Sequence, residues 1–174
     1  MSRKYIFIFS ISFACLFSCG KDNTSPQALI VGKWTLQQQH AVLNIDNARQ
    51  KDTVLAASAN TYATAQLNND GTFNSVSVYR PDNNLLDAWP GPSTANTTGK
   101  YSYLGAVFTI SPGLAGWVNF GVGSIGAPTG VSSSIEITQL DRSHLTIHSE
   151  NTFTITNGTG THTYDEVFDL YYGK

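Results

Sequence analysis

The chain has 174 residues, a formal net charge of −2 and a hydrophobic fraction of 41%, which is enough apolar material for one domain with a core. It contains no basic cluster, which argues against nucleic acid as a partner. Both cysteines, Cys15 and Cys19, lie near the start, so the rest of the chain cannot supply a cysteine nucleophile or a thiolate metal site.

The first predicted element is an export signal. Arg3 and Lys4 form a positive start, and residues 6–17 are an apolar run that is too short to cross a bilayer as a stable helix. This combination is typical of a signal peptide. We therefore predict that residues 1–18 are removed, which leaves 8 basic and 12 acidic residues and a charge of −4.

The residues that end this segment, Leu16-Phe17-Ser18-Cys19, resemble the lipobox of bacterial lipoproteins. The resemblance implies that Cys19 carries a diacylglyceryl thioether and an N-acyl chain such as palmitate. More than one acyl chain anchors a protein stably, since each buried methylene contributes about 0.8 kcal/mol. Gly20, rather than an aspartate, follows Cys19, so we expect attachment to the outer membrane, on its periplasmic or its surface face. A plain signal peptide with Cys19 unmodified is the alternative.

Residues 19–31 are predicted to form a lipidated tether that ends in one helical turn over Pro26–Val31. Beyond it, alternating polar and apolar runs recur between turn residues, which predicts strands. No crossover helix separates them, so we expect antiparallel neighbours that close into a barrel and remove exposed edges. The eight predicted strands are Lys33–His40, Thr61–Leu67, Thr72–Tyr79, Gly99–Tyr103, Ala106–Ser111, Ser132–Leu140, His144–Thr156 and Thr161–Tyr172.

The predicted connections differ between the two ends of this barrel. Three long ones, Ala41–Asn60, Arg80–Thr98 and Pro112–Val131, would lie at one end and short turns at the other. Long loops in a compact domain usually bind something or are disordered. An eight-stranded barrel is wide enough for side chains or one small ligand, so the pattern predicts a container with a mouth. A two-sheet sandwich is the alternative fold.

At the first strand, Gly32-Lys33-Trp34 resembles the Gly-x-Trp motif of lipocalins and of many bacterial lipocalin-like domains. The segments Gln66–Phe73, Thr98–Tyr103 and Phe168–Lys174 are similar to parts of the same bacterial domains. The resemblance spans most of residues 32–174. It implies an all-β, eight-stranded antiparallel up-and-down barrel with Gly32 and Trp34 as structural residues, Trp34 packing across the blind end. An arginine often meets this tryptophan in lipocalins, and here Lys174 is the only basic candidate.

Motifs for catalysis or cofactor binding are weak. Gly121–Gly126 matches the spacing of a dinucleotide-binding loop, but residues 127–130 include a proline and a glycine and will not propagate the helix that such a loop needs. His144 and His148 share a strand face about 13 Å apart, too far to share a zinc ion, and we expect both to point to solvent. We predict a non-catalytic protein without a cofactor or a metal site.

Aromatic residues line the predicted container. Trp89 and Trp117 lie in mouth loops, where an indole would contact a ligand or cap the barrel's own core. Glu166 shares the inward face of the last strand with Tyr164, and it would orient a polar head group or face water at the rim. The predicted ligand-binding residues are Trp89, Trp117, Tyr101, Tyr103, Phe108, Tyr164 and Glu166.

These observations together predict a membrane-anchored protein that binds a small apolar or amphiphilic ligand without catalysis. The alternative is a filled barrel that acts as a structural or interaction module, whose long loops contact a partner protein or a glycan.

Overall fold

One antiparallel sheet, curled into a nearly closed barrel, organises the molecule. The structure is a computed structural model that describes residues 25–79, 93–104, 107–114 and 127–174. A short helix, α1 (Pro26–Ile30), precedes the strands. The strands of the described part are β1 (Gly32–Ile45), β2 (Ala48–Ala56), β3 (Tyr62–Leu67), β4 (Thr72–Tyr79), β5 (Ser93–Leu104), β6 (Val107–Ser111), β7 (Thr129–Leu140), β8 (His144–Asn157) and β9 (Gly160–Gly173).

Eight of these strands follow the spatial order β6-β5-β4-β3-β1-β9-β8-β7, and every hydrogen-bonded pair is antiparallel. The two strands at the ends of this order, β6 and β7, lie close together, so the sheet comes nearly full circle. The predicted fold class, an eight-stranded antiparallel up-and-down barrel, is confirmed, and the sandwich is not. The architecture is compatible with a calycin-like fold.

The ninth strand, β2, lies where the sequence predicts a loop. The loop predicted over Ala41–Asn60 is wrong, because β1 runs on to Ile45 and pairs with β2 in a hairpin. Its turn residues, Asp46 and Asn47, have φ angles of 53° and 64°. Positive φ at both positions is what a two-residue type I′ turn requires, and Asp and Asn adopt it more readily than most residues. No glycine marks this turn in the sequence.

The other two predicted mouth loops are shorter than expected. Strand β5 begins at Ser93, so the end of the loop predicted over Arg80–Thr98 is strand. Strand β7 begins at Thr129, two residues before the predicted end of Pro112–Val131. Most of the remaining residues of both loops lie outside the described part of the chain.

Strand β1 connects the lower and upper parts of the barrel. Its first residues, Gly32–Thr35, pair with β3, and Gln38–Ile45 pair with β2. Its other edge pairs with β9 from Thr35 to Ile45. The register shifts at Gln37, and a bulge of one residue lets both Leu36 and Gln39 face the interior. Above Gln37 the barrel is extended by five strands, β2, β1, β9, β8 and β7. Along β1 this extension is eight residues long, roughly 25 Å. We call this part the tall wall.

Below the tall wall, large apolar side chains fill the barrel and form what we call the lower core. Buried members come from every strand of the eight-stranded order except β7, whose apolar side chains pack against the core while partly exposed. The principal members are Ile30, Trp34, Leu36, Leu67, Phe73, Tyr101, Phe108, Leu145, Ile147, Leu170 and Tyr172. The upper part of the barrel extends beyond this core.

Trp34 packs across the blind end of the barrel. Its indole is fully buried, and its Nε1 donates a hydrogen bond of 2.7 Å to the carbonyl of Ile30 in α1. The Lys174 ammonium lies 4.3 Å from the centre of the ring, a cation–π contact, and donates to the carbonyl oxygens of Leu29 and Val31. Lys174 therefore occupies the place that the resemblance gives to a late arginine, and burial lowers its pKa.

The helical turn predicted before the first strand is present as α1. Ser25 caps it by accepting a hydrogen bond of 3.2 Å from the Ala28 amide, and Pro26 occupies its first turn, where a missing amide proton costs nothing. The turn places Ile30 in the lower core, so α1 closes the barrel from below.

We expect Gly99→Ala to destabilise the barrel by about 2–3 kcal/mol, the cost of overpacking a filled site. A methyl group at Gly99 would collide with the Ser111 carbonyl oxygen and lie within 2.8 Å of atoms of Pro112 and Phe73. Gly158→Ala is the matched control, since nothing lies within 4 Å of its added carbon. Urea unfolding of both variants measures the difference, and equal stabilities would contradict this packing.

Candidate ligand-binding site

The inner face of the tall wall carries a second apolar cluster, separate from the lower core. Alternate residues of β1, β8 and β9 point inward, and the strand register brings Ile45, Tyr164 and Phe153 into one row. The Phe153 and Tyr164 rings stack with centres 5.5 Å apart and an interplanar angle of 6°. This upper cluster consists of Ala41, Leu43, Phe153, Ile155 and Tyr164, with Ile45 and Phe168 packed against it.

Glu166 is set into this apolar surface. On β9 it lies between Tyr164 and Phe168 on the same face, and across the sheet its neighbours are Leu43 and Asn151. It is partly buried, and in the part of the chain that the structure describes its carboxyl group forms no hydrogen bond or ion pair. Burial raises the pKa of Glu166. An uncompensated carboxyl group in apolar surroundings favours a partner that supplies a hydrogen bond or a positive charge.

The side chains around Glu166 do not satisfy it. Asn151 accepts a hydrogen bond from the Ser133 hydroxyl of β7 through its amide oxygen, and among the described residues its Nδ2 donates no hydrogen bond to Glu166. Lys51 shares the row, but its strand neighbour is Leu43, so β1 separates it from Glu166. The described residues show no ion pair between Lys51 and Glu166.

The predicted site residues fall into two groups. Tyr164 and Glu166 lie on the inner face of the tall wall, in the orientation that the alternation predicts. Tyr101 and Phe108 belong to the lower core, and Tyr103 packs against it. The structure therefore does not bring the second group together with the first. Trp89 and Trp117 lie outside the described residues, as do Cys19 and Gly121–Gly126.

The lower aromatic residues have structural contacts that explain their positions. The Tyr101 hydroxyl donates a 2.6 Å hydrogen bond to the carbonyl of Asn68, in the turn between β3 and β4. Tyr103 and Phe108 meet edge to face with ring centres 6.3 Å apart. The Tyr172 hydroxyl is buried without a hydrogen-bond partner among the described residues, and burial raises its pKa.

Sequence reasoning missed a network of alternating charges on the outer face of the tall wall. Its members are Arg49, Asp52, His40, Asp169, His148 and Glu150. Arg49 Nη1 lies 2.8 Å from Asp52, and His40 contacts Asp52 at 2.8 Å and Asp169 at 3.2 Å. His148 contacts Asp169 at 2.7 Å and Glu150 at 3.1 Å. The network thus joins β2, β1, β9 and β8.

This geometry fixes the protonation state of both histidines. Each imidazole of His40 and His148 has a carboxylate oxygen against both of its ring nitrogens. A neutral imidazole has only one N–H to donate, so one contact would be repulsive, whereas an imidazolium satisfies both. The hydrogen bond to Asp52 raises the pKa of His40, and the hydrogen bond to Asp169 raises the pKa of His148.

The tips of the two tall hairpins are also joined. Asp46, in the β1–β2 turn, accepts hydrogen bonds from the Thr163 amide at 2.9 Å and from His162 Nδ1 at 2.7 Å. The hydrogen bond from His162 lowers the pKa of Asp46. The Asp46 amide in turn donates to the Thr163 carbonyl at 2.8 Å. The register of β1 against β9 is therefore held at its upper end.

Comparisons with known proteins add no relative. No protein-family model, curated protein or solved structure matches the chain. Among the described residues, no helix has the length and apolar character to cross a membrane. Within the same residues, no group of three histidine, cysteine or acidic side chains is arranged to hold a metal ion.

We expect Asp169→Asn to lower the free energy of unfolding at pH 6 by about 1–2 kcal/mol, since it removes the carboxylate that two imidazolium rings share. Because the folded pKa values of both histidines are raised above 6.5, their contribution is complete below that pH and is lost as the pH rises through the raised values. The variant should therefore approach the wild type at pH 9. Urea unfolding at both pH values measures this.

The matched control is Asp165→Asn. Asp165 lies on the same outer face of β9, but its carboxylate accepts from the Thr152 hydroxyl rather than from a histidine. It should show no loss that is specific to acid pH. An Asp169→Asn variant with the same deficit at pH 6 and pH 9 would contradict the assigned imidazolium state.

Proposed function

We propose that this protein is a membrane-anchored, lipocalin-like lipoprotein that holds a small apolar or amphiphilic ligand against the inner face of the tall wall. The observation that carries the proposal is the upper cluster, an apolar surface above and apart from the lower core, with the carboxyl group of Glu166 set into it. A cluster that served only to stabilise the fold would gain nothing from a partly buried carboxyl group, since burial of an unpaired charge is costly.

The geometry fits an amphiphile better than a purely polar ligand. Leu43, Phe153 and Tyr164 are almost completely buried, whereas Ile45, Glu166 and Phe168 beside them are partly exposed and would form the contact surface for a ligand. Contact with this surface would contribute about 25 cal/mol per Å² of apolar area, less the cost of association. The carboxyl group at the same place provides one polar point that would orient the ligand.

The anchor rests on the residues at the start of the chain. The resemblance of Leu16–Cys19 to a lipobox supports lipidation of Cys19, with residues 1–18 as the signal peptide and residues 19–31 as the lipidated tether that includes α1. The protein would then reside in the cell envelope, on the outer membrane, and present the barrel to an aqueous compartment. The proposal includes no catalytic step.

The ligand site predicts saturable binding of an apolar probe, 4-fluoro-tert-butylbenzene, to the full-length chain in nonionic detergent, measured by ¹⁹F NMR against a blank of detergent alone. Leu43→Trp, which replaces an aliphatic side chain with a bulkier indole beside Glu166, should weaken binding at least tenfold, about 1.4 kcal/mol. If the space is open to a ligand, the variant should lose less than about 1 kcal/mol of stability, whereas a filled interior would cost about 1–3 kcal/mol.

Val54→Trp is the matched control, because Val54 faces outward on β2 and is 57% exposed. It should bind the probe like the wild type. Absence of saturable binding in the wild type, together with a large stability loss in Leu43→Trp, would favour the filled barrel that acts as an interaction module.

Lipidation predicts that Cys19→Ser abolishes incorporation of a clickable palmitate analogue and releases the protein from the membrane fraction, because the thioether cannot form on serine. Cys15→Ser is the control, since Cys15 lies within the predicted signal peptide, and it should leave labelling unchanged. Equal labelling of wild type and Cys19→Ser would refute the anchor without affecting the ligand site.

A further inference from the structure

We propose that the ligand of the tall wall is a cationic amphiphile, an ammonium group attached to an apolar body, with Glu166 as its counter-ion. This inference deepens the proposed function and rests on it. It follows from three features of the inner face: the charge that Glu166 brings, the lack of a protein cation beside it, and the aromatic rings on either side.

The negative charge of Glu166 on the inner face has no positive charge next to it. The inner-face neighbours of Glu166 across the sheet are Leu43 and Asn151, which are uncharged. Two basic side chains share the inner face of the described tall wall. Lys51 lies two strands away, roughly 10 Å between backbones, and His162 lies at the upper tip, where it is bonded to Asp46. Neither group neutralises Glu166, so a ligand bound at this face would meet an uncompensated carboxylate.

On the outer face of the tall wall, the carboxylates of the charge network are paired with basic side chains. Asp52, Asp169 and Glu150 each contact at least one cationic side chain at 3.2 Å or less. Glu166 is on the same wall and partly buried, yet the described residues provide it with no such contact. The burial that raises the pKa of Glu166 costs free energy, and a bound cation would reverse that cost by stabilising the ionised form.

The rings around Glu166 suit an ammonium group. Tyr164 and Phe168 flank Glu166 on the same face of β9, and Phe153 stacks on Tyr164. The faces of aromatic rings attract cations, and this attraction is larger where water is excluded. An ammonium group between these rings and the carboxylate would be satisfied on several sides, and its apolar body would extend over Leu43 and Ile45.

An anionic amphiphile fits this surface poorly. It would bring a second negative charge to a carboxyl group in surroundings of low polarity, where like charges repel strongly. A neutral amphiphile would gain the apolar contact but leave the carboxyl group unpaired. The expected order of affinity is therefore cation, then neutral compound, then anion, for ligands of equal shape.

The test uses two compounds of the same shape that differ in charge, phenyltrimethylammonium and tert-butylbenzene. Both are titrated against the full-length chain in nonionic detergent by calorimetry, with detergent alone as the blank. We expect the cation to bind wild type at least tenfold more tightly than its neutral isostere. Glu166→Gln, which keeps the side-chain shape, should remove that preference while the neutral compound binds as before, which also shows that the variant is folded.

Glu136→Gln is the matched control, because Glu136 is an exposed carboxylate on the outer face of β7. It should retain the full preference for the cation. An unchanged preference in Glu166→Gln, or none in the wild type, overturns the inference and leaves the proposed function intact. Loss of both compounds in Glu166→Gln also overturns it, since Glu166 would then only maintain the fold. Failure of both compounds to bind wild type overturns the proposed function as well.

Discussion

The pairing of β1 with β9 over nearly the whole length of both strands is the constraint on which the rest of the structure depends. Through it the first and last strands of the barrel are neighbours, and both the lower core and the upper cluster receive residues from both strands. The bulge at Gln37 falls where β1 exchanges β3 for β2 on its other edge. If Gln37 were paired in the regular ladder instead, the alternation above it would place Ala41 and Leu43 on the outer face.

The sequence predicted those parts of the fold that depend on local pattern. Alternation in β9 correctly placed Tyr164 and Glu166 inward, and the Asn-Asp-Gly turn correctly ended β3. The hairpin of β1 and β2 was missed because its turn, Asp46-Asn47, relies on the left-handed tolerance of two short polar residues. The outer network was missed for another reason: His40 and Asp169 are 129 residues apart, and only the register of β1 against β9 makes them neighbours.

The two faces of the tall wall differ in whether their charged side chains are compensated. On the outer face, the positive and negative side chains of the network alternate across four strands, so each charge of the network is compensated by the protein itself. On the inner face, Glu166 interrupts an apolar surface and is left without a cation in the described part of the chain. Because a sheet is only one residue thick, both arrangements are carried by the same strands. The network on one side therefore fixes the strands that position the carboxyl group on the other.

The bonds between Asp46 and the start of β9 have a mechanical consequence. A hairpin that projects beyond a barrel is ordinarily mobile about its base. Here the β1–β2 tip is fastened to the adjoining hairpin by a side chain and a backbone amide, so neither can bend without the other. Displacing either hairpin tip would therefore have to break these hydrogen bonds or carry the other tip with it.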